Sequence, residues 1–295
     1  MECRKFGNTG MDVSVLGYGA MELRHDEVDD GVADRLLNEA LDAGINFIDT
    51  APDYGKSEDV IGRVIANRRD DYYLATKCGC NVPPKEGAEG HIYTGEQLRH
   101  NIEHSLKRLK TDYVDVWQIH SASPEQIEES DMIETMEKIR DEGKVRHIAH
   151  SFPQGRGTTY GHEYVLKTMH EKRFEAIQIW YSALMRVNEN QIQKMAADGK
   201  GMILRGTVRS VMGKSYLEAF DEVGLDDLLD EGESPSQFLL RYAIANRSLH
   251  TTIVGTKSLD HLEENILAVE KGPISSDVLD EANKRLEAKG IVPKD

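Results

Sequence analysis

Strand-like and helix-like segments alternate along this 295-residue chain. Short apolar runs rich in Val and Ile are each followed by a longer segment in which apolar residues recur at helical spacing. The predicted strands cover residues 13–19, 46–48, 72–76, 113–119, 145–149, 176–180, 202–204 and 251–254. The predicted helices that follow them cover residues 30–43, 57–68, 94–109, 124–141, 162–171, 188–197, 234–246 and 259–269.

This alternation strongly constrains the fold. Two strands separated by a helix pair in parallel through a right-handed crossover. Eight such units close most naturally into a (β/α)8 TIM barrel, so we predict one α/β barrel domain over residues 1–295. A β-hairpin around Asn8-Thr9-Gly10 is predicted before the barrel, and further helices are predicted at residues 216–223 and 276–288.

An open, doubly wound sheet is the alternative arrangement. Such a sheet usually carries a GxGxxG nucleotide-binding motif after its first strand. The corresponding segment, Gly17-Tyr18-Gly19-Ala20-Met21, lacks the third glycine, and no helix begins directly after it. The closed barrel is therefore favoured.

The charge balance limits the partners that we expect. Lys and Arg number 36 and Asp and Glu number 52, which gives a net charge of −16. An acidic surface repels nucleic-acid phosphates and anionic lipids, so we expect a small-molecule partner and neither nucleic acid nor membrane. The sequence shows no secretory signal and no apolar run that could span a bilayer. It does not indicate an oligomeric state.

The cysteines indicate a reducing compartment. There are three, Cys3, Cys78 and Cys80, and this low, odd number argues against a disulfide framework and for a cytoplasmic location. Cys78 and Cys80 do not form a CxxC pair, and we interpret them as ordinary packing residues. Because the cysteines and histidines show no metal-ligand spacing, no metal site is predicted.

Polar residues follow three of the predicted strands. Asp49 comes directly after the second strand, Lys77 after the third and His120 after the fourth, while Tyr54 lies in the loop that Asp49 begins. The carboxyl ends of barrel strands meet at one mouth, so we expect these four side chains to converge there. A single Asp, Lys or His in such a position is often only a solvated or structural residue. Their joint occurrence indicates a catalytic site.

The four residues have the chemistry needed to protonate an oxyanion while a carbonyl is reduced. Free tyrosine has a pKa of about 10, so it is a reluctant acid. A lysine about 4 Å away contributes about 4 kcal/mol at an effective dielectric of about 20, or about three pKa units. We therefore predict that the charge of Lys77 lowers the pKa of Tyr54 enough for it to donate its proton, although desolvation of the phenolate opposes this effect. Asp49 would hold Lys77, and His120 would orient the substrate oxygen.

These residues resemble those of the aldo-keto reductase family. The matching segments are Phe6-Gly7-Asn8-Thr9-Gly10, the run 13–19, Phe47-Ile48-Asp49-Thr50-Ala51 with Tyr54 and Gly55, Thr76-Lys77, and Gln118-Ile119-His120. The resemblance implies a barrel whose floor is covered by the N-terminal hairpin. It also implies reversible reduction of aldehydes or ketones with NADP(H), or alternatively NAD(H), with Tyr54 as general acid.

The resemblance also implies a set of cofactor-binding residues. They are Gly19, Ala20, Ser151, Gln178, Arg205, Gly206, Thr207, Val208, Gly255, Thr256, Lys257, His261, Glu264 and Asn265. Three positions depart from the family pattern: Phe152 stands where many members have Asn, Arg205 where an aromatic residue often stacks on the nicotinamide, and His261 where an Arg commonly binds the 2′-phosphate. Arg205 would either stack on the nicotinamide or pair with an acid or a phosphate.

Two other functions are compatible with the same residues. Some relatives are regulatory subunits that sense nicotinamide and turn over very slowly, and such a subunit would bind cofactor tightly. A barrel isomerase or lyase could use the same carboxylate and lysine without a nicotinamide. Absence of any response to NADPH or NADH would favour that last alternative.

Overall fold

The structure is a computed structural model that describes residues 1–84, 90–154, 161–208 and 215–295. Eight parallel strands form a closed barrel, which confirms the predicted TIM barrel. The hairpin strands are β1 Cys3–Lys5 and β2 Asp12–Ser14. The barrel strands are β3 Leu16–Gly19, β4 Phe47–Asp49, β5 Tyr73–Cys78, β6 Val114–His120, β7 Val145–Ser151, β8 Ala176–Trp180, β9 Gly201–Arg205 and β10 Thr251–Val254.

Helices surround the barrel, and seven of the eleven described α-helices have a side chain that caps the N-terminus. Among the described residues they are α1 Asp30–Asp42, α2 Ser57–Val64, α3 Gly95–Leu109, α4 Pro124–Glu128, α5 Met132–Asp141, α6 His162–Thr168, α7 Glu189–Ala197, α8 Tyr216–Val223, α9 Pro235–Ala245, α10 Leu259–Glu270 and α11 Ser276–Ala288. Ser123, Ser215 and Ser234 form reciprocal capping boxes before α4, α8 and α9. In none of the described helices is there an apolar stretch sufficient to cross a membrane.

The N-terminal hairpin closes one end of the barrel, as predicted. Phe6, Met11 and Val13 are buried with inward-facing strand residues such as Phe47 and Val116. The predicted strand over residues 13–19 is divided at Val15, because Val13 pairs with β1 of the hairpin whereas Leu16 pairs with β10 of the barrel. One apolar run therefore serves two sheets.

Two predicted helices are each divided in two, and the predicted helix over residues 162–171 ends at Thr168. Residues 57–68 form α2 only to Val64, and a 3-10 helix, Ala66–Asp71, follows. Residues 124–141 divide into α4 and α5. Ser130 lies at this break, where its hydroxyl accepts a bond from the Met132 amide, a local bond that competes with helical pairing.

The predicted N-cap at Ser57 is wrong. This residue is the first residue of α2, and its buried hydroxyl donates to the Ala20 carbonyl. It also bonds to the hydroxyl of Thr50. The Ser57 hydroxyl is thus used in tertiary contacts and not as a helix cap.

The strand register brings polar side chains into one layer at the end of the barrel opposite the hairpin. Lys77 of β5 pairs with Gln118 of β6, and His120 pairs with Ser151 of β7. Ser151 in turn pairs with Gln178 of β8. Alternate residues of a strand share one face, so this layer lies above the apolar barrel interior.

Candidate active site

The carboxylate of Asp49 is the centre of the polar layer. One oxygen accepts a bond from Lys77 Nζ at 2.7 Å. The other oxygen accepts bonds from the amides of Gln118 at 2.7 Å and Gln178 at 2.8 Å. Lys77 Nζ also donates to the Thr50 carbonyl at 2.7 Å. Because every donor is buried, the network fixes the positions of both charges.

Lys77 is a fully buried ammonium whose charge is supported by its neighbours. Burial alone would lower the pKa of Lys77, but Asp49 and the Tyr54 oxygen raise it above its ordinary value. The side chain therefore remains a cation at neutral pH. This is the contact that the sequence predicts between Asp49 and Lys77.

Tyr54 lies beside this cation. Lys77 Nζ is 4.8 Å from the centroid of the Tyr54 ring. The Tyr54 loop is held by Arg108 of α3, which donates to the carbonyls of Pro52 and Gly55. The predicted convergence of a phenol and an ammonium at the barrel mouth is therefore present.

The predicted lowering of the Tyr54 pKa is wrong for the structure described here. Burial raises the pKa of Tyr54 above its ordinary value, and the nearby Lys77 opposes this effect only in part. The sequence analysis expected the charge of Lys77 to outweigh the cost of removing the phenolate from water, but in the packed structure this cost is the larger effect. Tyr54 is therefore firmly protonated, as a proton donor must be before reaction.

His120 is a buried, neutral imidazole. Burial lowers the pKa of His120 to about 4, and repulsion from Lys77 lowers it further. The hydrogen bond that the charged ring would donate to the Asp53 carboxylate opposes this shift only in part. Its ring centroid is 6.1 Å from that of Tyr54, in an edge-to-face arrangement. Nδ1 lies 3.4 Å from an Asp53 oxygen and 3.4 Å from Cys80 Sγ.

A cavity of about 360 Å³ opens beside Asp49 and Tyr54. Half of the predicted cofactor residues line it, namely Gly19, Gln178, Arg205, Gly206, Thr207, Val208 and Gly255. Trp180, which the sequence did not single out, also lines it. A cavity of about 460 Å³ lies around Asn8 and Lys200 near the hairpin, away from the predicted catalytic side chains.

Two other predicted cofactor residues lie behind the cavity wall. Ser151 is buried and donates to the Gln178 side-chain oxygen at 2.8 Å. It therefore positions the amide that reaches Asp49. Ala20 is also buried, at the start of a 3-10 helix, Ala20–Arg24, where its carbonyl accepts from Ser57.

Arg205 and Phe152 are two positions at which this chain departs from the family pattern. The Arg205 guanidinium lies 4.7 Å from the Trp180 ring and donates to the Phe152 carbonyl at 2.5 Å. The Phe152 side chain packs against His150, with the ring centroids 4.4 Å apart. The amide contact expected from Asn at this position is therefore absent, and a stacked cation lines the cavity instead.

Two cavity-lining glycines are required by close approach. Gly206 has φ of +82°, and a Cβ there would lie 2.3 Å from the Trp180 ring. A Cβ on Gly255 would lie 2.7 Å from the Gly19 carbonyl oxygen. A side chain at either position would collide with these neighbours. The two glycines therefore form a cradle in which the backbone itself faces the cavity.

The remaining predicted cofactor residues do not line this cavity; they are Thr256, Lys257, His261, Glu264 and Asn265. Lys257 Nζ is 3.4 Å from a Glu27 carboxylate oxygen. Ser258 caps α10 by accepting from the His261 amide. His261 and Glu264 are exposed on the first turns of α10, whereas Thr256 and Asn265 are buried.

Three residues near His120 were missed as functional residues by the sequence analysis. Asp53, Cys80 and His91 offer side-chain atoms within 4.8 Å of one another and of His120. Asp53 comes from one loop and Cys80 and His91 come from another, so no local spacing could indicate all three together. The only signal was the position of Cys80 just beyond a strand that ends in Cys78.

Comparisons with known proteins identify the family and several relatives of this chain. The sequence pattern of the Aldo/keto reductase family matches residues 15–224. The uncharacterized oxidoreductase YqkF of Bacillus subtilis is 30% identical over 292 residues, covering 91% of this chain and 91% of that protein. L-galactose dehydrogenase of Arabidopsis thaliana is 29% identical over 294 residues, covering 91% of this chain and 88% of that protein.

A solved structure extends the agreement to the whole fold. The holo form of the aldo-keto reductase AKR11C1 from Bacillus halodurans has a TM-score of 0.81 and 27% identity, covering 97% of this chain and 96% of that chain. Fold and site together define a (β/α)8 barrel with a buried carboxylate–ammonium pair at its mouth. The chain belongs to the aldo/keto reductase family of oxidoreductases.

Proposed function

We propose that this protein reduces an aldehyde or ketone to an alcohol with NADP(H), with Tyr54 as the general acid. The observation that carries the proposal is the Asp49–Lys77 pair, which places a permanent cation beside a protonated phenol at a cavity. When bound, the nicotinamide supplies the hydride. The phenol of Tyr54 gives its proton to the oxygen on which negative charge develops.

Lys77 acts on the transition state by electrostatics. As Tyr54 loses its proton, the phenolate that forms is stabilised by the ammonium, which Asp49 holds in place. The buried surroundings that raise the pKa of Tyr54 also strengthen this attraction. His120 is neutral and orients the substrate oxygen.

The residues lining the cavity fit a nicotinamide cofactor. The cradle at Gly206 and Gly255 leaves backbone open to a close-lying phosphate, and Gln178 offers an amide. Lys257 near the N-terminus of α10 would provide charge for a 2′-phosphate in place of the family arginine. We therefore expect NADPH to be preferred to NADH.

The substrate class that we propose is small hydroxylated carbonyl compounds, including keto-sugars. Support comes from the relative named L-galactose dehydrogenase, which covers most of the chain. Loss of reduced-nicotinamide absorbance across aldehydes, ketones and keto-sugars, with each cofactor, tests the choice of substrate and cofactor.

The decisive variant is Tyr54→Phe, which keeps the ring and removes the proton. We expect kcat to fall by at least about 100-fold, because a positioned general acid usually contributes at least this factor to the rate. Cofactor affinity should be nearly unchanged. Tyr93→Phe is the matched control, because Tyr93 donates to the His120 carbonyl and does not line the cavity. Full turnover by Tyr54→Phe would defeat the proposal.

A further inference from the structure

Four metal-ligating side chains meet next to the candidate active site. We call Asp53, Cys80, His91 and His120 the loop cluster. One carboxylate oxygen, one sulfur and two ring nitrogens all lie within 4.8 Å of one another. Asp53 comes from the loop after β4, Cys80 and His91 from the segment after β5, and His120 from the end of β6.

The spacing of these atoms resembles the edges of a tetrahedron around a metal ion. Ligand bonds of about 2.0–2.3 Å to Zn²⁺ give edges of about 3.3–3.6 Å in a tetrahedral site. The His120 Nδ1 to Asp53 distance is 3.4 Å, and the His120 Nδ1 to Cys80 Sγ distance is 3.4 Å. The His91 Nε2 to Asp53 distance is 3.7 Å. Small adjustments would bring all four atoms onto one ion.

The cluster also contains a polar atom that lacks a hydrogen bond. Nε2 of His91 is buried and has no hydrogen-bond partner within the described ranges; an Asp53 oxygen lies 3.7 Å away. A buried nitrogen without a partner is costly, and a metal ion at the centre of the cluster would satisfy it. This observation is independent of the tetrahedral spacing.

The surrounding backbone already holds the ligands in place. Cys80 and His91 form an antiparallel bridge, reinforced by the Ile92 amide donating to the Gly79 carbonyl at 2.7 Å. The side-chain amides of Gln97 and Asn101 donate to the Cys80 carbonyl at 2.8 and 3.0 Å. Supported ligands lose little freedom on binding, which favours affinity.

We propose that Asp53, Cys80, His91 and His120 form a binding site for one Zn²⁺ ion. A set of one thiolate, two imidazoles and one carboxylate suits zinc in tetrahedral geometry and excludes Mg²⁺ and Ca²⁺, which require oxygen ligands. Asp53 borders an open groove of about 510 Å³, which gives the ion a path of entry. As the zinc–sulfur bond forms, the Cys80 thiol proton passes to solvent.

Occupancy would change the ring of His120 in a defined way. With Nδ1 bound to zinc, the neutral imidazole carries its proton on Nε2 and becomes a fixed donor through that nitrogen. This consequence rests on the proposed function, in which His120 orients the substrate oxygen. The binding site itself does not depend on it.

Direct spectroscopy of Co²⁺ tests the site without any measurement of turnover. The full-length protein is stripped with a chelator, reduced, and titrated with Co²⁺ alone under anaerobic conditions. We expect one equivalent to give intense visible bands of tetrahedral Co²⁺ and a near-ultraviolet thiolate charge-transfer band. One equivalent of Zn²⁺ should then abolish both.

Ligand variants and matched controls complete the test. Cys80→Ser should lose the charge-transfer band, and His91→Ala, which alters a partly exposed side chain, should weaken Co²⁺ binding by at least about tenfold. Cys3→Ser and His100→Ala change exposed residues outside the loop cluster and should behave as the parent protein. Absence of tetrahedral bands in the parent protein, or equal affinity in His91→Ala, would overturn the proposal, whatever Tyr54→Phe shows.

Discussion

At the scale of the residue, the site depends on how one buried carboxylate is satisfied. Asp49 accepts from Lys77, Gln118 and Gln178, three donors from three different strands. Removing a charge from water is costly, and only a nearly complete set of partners offsets the cost. The network is thus stable only as a unit, so the loss of one partner affects the others.

The replacement Lys77→Met tests this dependence. It leaves the Asp49 carboxylate buried without its cation, so we expect the free energy of unfolding to fall by about 3–5 kcal/mol, as for other broken buried pairs. Turnover should be lost as well under the proposed function. Urea unfolding of both proteins measures the stability difference.

Lys144→Met is the control for Lys77→Met. Lys144 pairs with Glu103 and Glu142 at the surface, where solvent screens the charges. We expect little change in its unfolding free energy. If both variants lost stability equally, the special dependence of Asp49 on Lys77 would be excluded.

Strand-end position was enough to predict which residues meet, because parallel strands deliver their last residues to one mouth. Asp49 and Lys77 were predicted as partners in this way. The pKa of Tyr54 could not be predicted, since it depends on burial that only the packed structure defines. His91 was missed because the loop that folds it against Cys80 has no periodic pattern.

At the scale of the element, Arg4 joins the N-terminal hairpin to α9. Its guanidinium donates to the carbonyls of Ile244 at 2.6 Å, Leu249 at 2.6 Å and Asn246 at 3.1 Å. These carbonyls lie at and just beyond the C-terminus of α9, where acceptors lack helical partners. A cation there also interacts favourably with the helix dipole.

We expect Arg4→Met to reduce the free energy of unfolding by about 2–3 kcal/mol, since buried carbonyl acceptors lose charged donors. The neighbouring Lys5→Met serves as the matched control, because Lys5 is exposed and pairs with Asp12 across the hairpin. Thermal unfolding of the two variants should separate them clearly. Equal melting temperatures would show that Arg4 does not anchor α9.

Helices and strands were well predicted where a single local sequence feature determines the element. The helix before Lys110 and the capping by Thr94 follow directly from apolar spacing and a Thr at the boundary. The division at Val15 was not predictable, because the apolar run is continuous and only tertiary pairing distinguishes hairpin from barrel. Propensity is a weak guide when two sheets compete for one segment.

At the scale of the whole molecule, the buried His150 and the half-buried His250 make stability depend on pH. Burial lowers the pKa of His150 to about 3 and that of His250 to about 4. His250 Nδ1 accepts from the Met202 amide, and His150 Nε2 bonds to the Ala122 carbonyl. Both rings are therefore neutral in the folded protein, whereas they titrate at about 6.5 when unfolded.

Acidification should destabilise the folded protein. Below about pH 6.5 the unfolded chain binds more protons than the folded chain, so stability falls as pH falls toward 4. His150 contributes up to about 1.4 kcal/mol per pH unit in this window. Urea unfolding at pH 7.0, 6.0 and 5.0 measures the slope.

His150→Leu should reduce that slope, because it removes one proton-binding group from the unfolded chain without adding a charge to the core. His100→Ala, at an exposed position on α3, should leave the slope unchanged. A slope in His150→Leu as steep as in the parent protein would show that other groups control acid sensitivity.

The closure of the barrel between β3 and β10 has a consequence for biosynthesis. Leu16 pairs with Thr252, so the first barrel strand must wait for a neighbour that leaves the ribosome more than two hundred residues later. At about 5–20 residues per second, that wait is roughly 12–50 s. During this wait, β3 has an unpaired edge that is exposed to other chains. The rate of translation therefore sets how long nascent copies are most prone to associate.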